Sequence, residues 1–294
     1  MRVAGRCCRR RIHRRRLARR IGATSHIINW LSLRPITDFD LGAFWAAIVA
    51  FAAWRTGTLT FAGGLAAIVV GAGVFGAGSW PNAFVLFAFF IPAVLLSRIG
   101  RARKRSFVDV GKHGARDAMQ VFANGGVAAV CAIAAMSGHS WWHAAFAGAF
   151  AAAAADTWGT EIGTLANAVP RSIFTGKPIA AGLSGGITIV GTLAELFGAV
   201  LVAVVAFGGG VAAFLPVAIG GVCGALVDSV LGATLQTLRY CRACERNCET
   251  EPHICGANTH IVRGLSWMSN DVVNFAATAT GAIVAGGLSC LLIR

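Results

Sequence analysis

Three groups of residues in this chain have types and spacings that could do chemistry. Asp156 and Glu161 bracket Thr157-Trp-Gly-Thr160, Asp228-Ser229 stands just before Gly232, and the basic stretch Arg98–Arg116 reads RIGRARKRSFVDVGKHGAR. Each lies at the edge of a long apolar run, where ionisable groups are costly and mark functional sites. Asp156, Glu161 and Asp228 offer the hard oxygen ligands that Mg²⁺ takes, with substrate phosphates completing the shell. Five residues apart on a helix, Asp156 and Glu161 are only partly co-facial, so a break at Gly159 is expected to turn both toward one point. Lys112 and Arg116 supply cations beside Gly111 and Gly114, whose bare backbone N–H groups can approach a phosphate. The plain alternative is a basic loop that only sets topology.

Further polar residues follow the same pattern. Asp117, Gln120 and Asn124 are spaced by three and four and share a helix face, as do Asp228, Gly232 and Gln236. Lys177 lies in Thr175-Gly-Lys177-Pro178, ahead of Ser184-Gly185-Gly186-Ile-Thr188. That glycine turn opens an apolar helix, and amides at a helix start form an anion site. Asn270-Asp271-x-x-Asn274 opens the last apolar run. Asn270 reads as an N-cap, while Asp271 and Asn274 could instead reach the same pocket. Glu195, in mid-run, stays open between a functional and a structural role.

Cys241-x2-Cys244-x3-Cys248-x6-Cys255, with His253, holds four of the nine cysteines. Cys241, Cys244, His253 and Cys255 are the preferred set for a structural Zn²⁺; free thiols are the alternative.

The elements that must position these groups are helices. The 294 residues are 56% hydrophobic and 13% charged, with a mean hydropathy of +0.68 and 37 glycines. Soluble domains carry about 25% charged residues, so this balance predicts an all-α, polytopic transmembrane bundle. Apolar stretches near 41–54, 60–78, 81–97, 118–137, 141–156, 186–208, 211–236 and 271–293 suggest six to eight spans. The first, third and fifth are short for a straight crossing. Ten arginines lie in the first 20 residues, and like-charge blocks are usually disordered. Residues 1–37 are therefore expected to be a disordered tail, and 38–294 one multi-pass membrane domain. A basic patch confined to a tail argues against a nucleic-acid partner. The basic loop 98–116 should face the cytoplasm, and counting spans onward returns 157–185 and the Cys-rich loop 237–269 to that side. There a disulfide cluster is disfavoured. Three spans before the basic loop would leave the arginine tail outside, so one early segment is not expected to cross.

RDAMQVFANGG (116–126), ADTWGTEIG (155–163), SGGIT (184–188), DSVLGATLQ (228–236), HICGANT (253–259) and NDVVN (270–274) occur in that order. From about residue 40 to the end they resemble the integral membrane family called domain of unknown function 92, or the transmembrane protein 19 family, one branch of which resembles plant phytyl-phosphate kinases. The resemblance implies a kinase of polyprenyl monophosphates that uses Mg²⁺ and CTP or another nucleoside triphosphate. Asp117, Asn124, Asp156, Glu161, Ser184, Asp228, Gln236, Asn270 and Asp271 occupy the family's polar motif positions. Asp156, Glu161 and Asp228 would then hold Mg²⁺, while Lys112, Arg116 and Lys177 neutralise charge. The alternative is a transporter or lipid flippase using the same acids for ion coupling. A structural membrane protein with a zinc-stapled loop is a third reading. The oligomeric state is open.

Overall fold

The computed structural model describes residues 37–100, 114–166 and 168–292. The arginine tail up to residue 36, Gly111 and Lys112 lie outside the described residues. Seven helices carry the described fold: α1 (Asp38–Arg55), α2 (Phe61–Arg98), α3 (Ala118–Ala135), α4 (Trp141–Gly163), α5 (Ile189–Gly208), α6 (Phe214–Thr234) and α7 (Asn270–Leu292). Two small antiparallel sheets sit in the connections. One pairs β1 (Arg171–Ser172) with β2 (Gly186–Ile187); the other, in the order β4-β3-β5, joins β3 (Leu238–Cys241), β4 (Arg246–Cys248) and β5 (Thr259–Arg263).

Helix α4 is the axis of the bundle. Every residue from Ala144 to Ala155 is buried, and α4 packs against α2, α3, α5, α6 and α7. A helix apolar all round has no outward face, so it takes the centre. Bulky apolar residues stand outside instead: Phe44, Phe51, Val69, Val130, Phe197, Leu215 and Ile283 are all exposed. Small residues inside and large ones outside suit lipid as solvent, where helices associate by close packing and not by hiding leucine from water.

The crossing of α4 and α7 shows how tight that packing is. A Cβ on Gly148 would stand 2.4 Å from the Gly281 carbonyl oxygen, and one on Gly281 would stand 2.5 Å from that of Gly148. Backbone atoms cannot rotate away. Gly281→Val is therefore expected to cost about 3 kcal/mol or more and to abolish the monodisperse peak in detergent size exclusion. Gly287→Val, which meets nothing within 4 Å, should leave that peak unchanged.

Five helices are long and apolar enough to cross a membrane: α2, α3, α5, α6 and α7. That is fewer than the six to eight expected, for two reasons. The short stretches 41–54 and 141–156 fall in α1 and α4; α1 opens on Asp38 and Asp40, and α4 carries His143, Asp156 and Glu161. The stretches 60–78 and 81–97 belong to one 38-residue element, α2, broken at Gly78 and Ser79 (φ 51°, ψ −143° at Ser79). Its arms run back to back, because the Arg98 guanidinium donates to the Thr58 hydroxyl (3.1 Å) and so brings the end of the second arm to the start of the first. Trp80 packs at the turn against Phe75, with ring centroids 5.2 Å apart.

Candidate functional site

One end of the bundle opens into a cavity of about 1250 Å³. All three polar blocks of the sequence reach it. Asp156, Thr160 and Glu161 come from the end of α4, Glu195 from α5, Asp228 and Ser229 from α6, and Asn270, Asp271 and Asn274 from the start of α7. Gly114, Arg116, Gln120 and Asn124 close another wall, and Ser184, Gly185, Gly186 and Glu249 a further one.

The four acids converge by helix packing, not by a helix break. Helix α4 runs unbroken to Gly163, so the expected break at Gly159 does not occur. Gly159 makes room instead: a Cβ there would lie 2.5 Å from Glu195 Cγ. Asp156 and Asp228 are hydrogen-bonded carboxyl to carboxyl, and Glu161 and Glu195 act on the pair through space. With its amide oriented to suit its neighbours, Asn274 donates to Asp228 Oδ2 (3.1 Å) and to the Asn270 carbonyl (3.2 Å). Two carboxylates in contact cannot both stay charged unless a proton or a cation sits between them. An all-oxygen set from three helices fits a hard divalent cation such as Mg²⁺.

Arg116 is pinned by its backbone. Its N–H donates to the Thr58 carbonyl (2.9 Å), and its own carbonyl accepts from Thr60 N–H (3.0 Å). Burial pulls its guanidinium below the ordinary arginine value, and the charge of Glu161 opposes that pull. The next residue is spent differently. The Asp117 carboxylate accepts from Gln120 N–H (3.0 Å) and the Gln120 side chain accepts from Asp117 N–H (3.1 Å). That is a capping box at the start of α3, and Asp117 does not line the cavity. Asn124, which does, donates to the Gln120 carbonyl (2.9 Å).

The glycine turn is occupied by the protein itself. Thr188 caps α5 by accepting from Gly191 N–H (2.9 Å), and Ser184 N–H donates to the Glu249 carboxylate (2.9 Å). The Ser184 hydroxyl and the Gln236 amide also donate to Glu249, at 3.1 and 2.9 Å. Gly185 (φ 80°) passes so close to α6 that a Cβ would meet Ala233 at 2.5 Å. Gln236 lies beyond the end of α6 and is buried, so it does not share the helix face of Asp228 as its spacing suggested. Burial raises the Glu249 carboxyl, and the Ser184 donors pull it back. Glu249→Gln would turn a donor toward these donors. It is expected to cost about 1–3 kcal/mol, read as a lower Tm in detergent, with Glu249→Asp losing less.

The remaining candidates separate. Lys177 is exposed in the turn after β1 and does not line the cavity. Helix α7 begins at Asn270 itself, so the cap position falls to Ser269, whose hydroxyl lies 3.5 Å from Val272 N–H. Cys241, Cys244, His253 and Cys255 do come together, with ligand atoms all within 4.8 Å of one another. Hydrogen bonding to His253 pulls the Cys255 thiol down to about 6.

A second, apolar slot of about 120 Å³ lies between α1 and the two arms of α2, lined by Trp45, Val49, Val70, Val74, Leu86 and Phe90 among others. It shares Phe89, Arg116, Gln120 and Asn124 with the polar cavity.

The sequence model of the integral membrane protein DUF92 family matches residues 44–282, most of the chain and every helix that meets this cavity. The chain belongs to the DUF92 family of integral membrane proteins. Among its relatives, Protein PGR of Arabidopsis thaliana is 29% identical over 79% of this chain and 89% of its own length. An uncharacterized membrane protein of Methanocaldococcus jannaschii is 32% identical over 71% of this chain and 76% of its own. Another from Synechocystis is 26% identical, covering 75% and 78%. No solved structure matches.

Proposed function

We propose that this DUF92 protein is a Mg²⁺-dependent kinase that passes the terminal phosphoryl group of CTP or another nucleoside triphosphate to a polyprenyl monophosphate. The observation that carries this is the meeting of Asp156, Glu161, Glu195, Asp228 and Arg116 in one polar cavity that shares a wall with an apolar slot. A cavity above the roughly 300–1,000 Å³ of most small-molecule sites suits two substrates side by side. The motif resemblance to phytyl-phosphate kinases points the same way.

The chain's own residues have a modest task, because phosphoryl transfer needs positioning and charge neutralisation more than covalent help. Asp156, Glu161 and Asp228 would hold Mg²⁺, with Glu195 beside them. When bound, that ion supplies charge compensation for the nucleotide phosphates. Arg116, Gln120 and Asn124 would orient the acceptor phosphate at the mouth of the slot, whose roughly 120 Å³ takes only the head end of the isoprenoid chain, against Val70, Val74 and Phe90, with the rest of the chain in the bilayer. An ionised acceptor oxygen attacks the γ-phosphorus, the bond to the β–γ bridging oxygen breaks, and the nucleoside diphosphate leaves with that electron pair. The acceptor has no proton to lose, so no general base is required.

The test is transfer from γ-labelled CTP or ATP to phytyl, geranylgeranyl or farnesyl monophosphate by purified protein in detergent. Labelled prenyl diphosphate that disappears with EDTA is expected. Folded protein that makes none with any donor or acceptor, yet moves ions or lipid in proteoliposomes, would overturn the kinase and leave the transporter.

A further inference from the structure

We propose that Cys241, Cys244, His253 and Cys255 form a structural Zn²⁺ site that locks the Cys-rich loop and thereby holds Glu249 in the cavity wall. This stands apart from the kinase reading and survives its failure. Tetrahedral zinc binds thiolate sulfur at about 2.3 Å, which separates two such sulfurs by about 3.8 Å. Cys241 Sγ and Cys255 Sγ lie 3.7 Å apart, close to that separation and far beyond the roughly 2.05 Å of a disulfide. His253 turns Nδ1 to within 3.1 Å of Cys255 Sγ, and all four ligand atoms fall within 4.8 Å. His253 and Cys241 are buried, and three sulfurs and one nitrogen are the donors of closed structural zinc sites.

Local backbone supports the same conclusion. Cys241 ends β3 and Cys244 lies in the turn to β4, where Glu245 takes a left-handed conformation (φ 53°) that a residue with a side chain rarely adopts. An ion gripping both ends of the turn gives that conformation a purpose. Cys255 and His253 arrive from the connection between β4 and β5, so one ion would tie all three strands. Among the described residues, Arg239 and Glu251 add an ion pair across the unit. The strand that emerges from this unit ends at Cys248, and Glu249 follows directly, clamped to Ser184 and Gln236. Zinc therefore acts as the anchor of one cavity wall and takes no part in chemistry.

The experiment is metal analysis of the full chain, purified in detergent with a thiol reductant and without chelator. One zinc per chain is expected, falling to near zero in Cys241→Ser and Cys255→Ser and unchanged in Cys290→Ser. Cobalt substitution should give the intense d–d bands of a tetrahedral, sulfur-rich site. Because serine variants can misfold, a strong chelator added to wild type provides the second arm: zinc loss should lower Tm, and added Zn²⁺ should restore it. Folded wild type that carries no zinc and takes up none would overturn the proposal. So would zinc that persists in both serine variants, or a Tm that ignores its removal.

Discussion

Asp228→Asn is expected to lower phosphoryl transfer by about 10³-fold while leaving the protein folded, since one fixed charge aimed at a reacting centre is worth about 10²–10³. The substitution keeps shape and removes one of two carboxyl groups that touch. In the metal-free protein the pair must share a proton to stay in contact, and an amide at position 228 can donate the same hydrogen bond to Asp156. The Tm without divalent cation should therefore hold steady or rise, while the gain in Tm on adding Mg²⁺ and nucleotide should vanish. Asp156→Asn should behave alike, and the double variant should lose little more than either single one, because residues acting as a unit are not additive. A purely structural role predicts the opposite pattern, with a falling Tm and no change in ligand response. Transfer assays paired with thermal shifts in detergent separate the two.

Arg116→Gln is the second large effect, an expected loss of about 10³-fold, at the lower edge of what a transition-state arginine contributes. Its backbone is held by Thr58 and Thr60, so the side chain can be exchanged without moving the start of α3. Glu161 keeps a counter-charge beside it; removing the cation leaves that acid facing the substrate phosphates and adds repulsion to lost attraction. Arg116→Lys should recover part of the rate but not all, since a point charge cannot reproduce the two-pronged guanidinium contact. Loss of kcat with the KM for the lipid raised as well is the signature of a group that both binds and neutralises. A change in lipid KM alone would make Arg116 a binding residue only.

Much of this site was legible because charge is expensive in an apolar sequence. Asp156, Glu161 and Asp228 stood out as acids at the ends of long apolar runs, and Arg116 as the last cation before one. Their spacing along the chain said less about how they meet. Gly159 suggested a break in α4, whereas a glycine in a tightly packed bundle more often makes room, here for Glu195. Glu195 stays open on sequence alone; its depth in a long apolar run is the available signal. Glu249 had none, because one acid in a polar, Cys-rich loop resembles any other until the fold brings it to Ser184. Asp117 and Asn270 could each be read in two ways. Polar residues at a helix start serve as caps or stand beside them: Asp117 caps α3, whereas Asn270 lines the cavity. The helices were readable from apolar runs, but α1 and α4 fall short as spans for a shared reason. Each carries polar residues among its apolar ones, Asp38 and Asp40 in α1 and His143, Asp156 and Glu161 in α4, which lower its apolar character below that of the other helices.

On the proposed mechanism, the carboxylate cluster would bind a divalent cation that also meets nucleotide phosphate. The most direct measurement is electron–nuclear double resonance on Mn²⁺ in place of Mg²⁺, with nucleotide present, looking for ³¹P coupling in wild type and in Asp156→Asn and Asp228→Asn. Strong ³¹P coupling in wild type that disappears in both variants, each still folded, is the predicted result. Mn²⁺ that binds without phosphorus coupling, or coupling that survives both substitutions, would contradict the assignment of this cavity as the phosphoryl-transfer site.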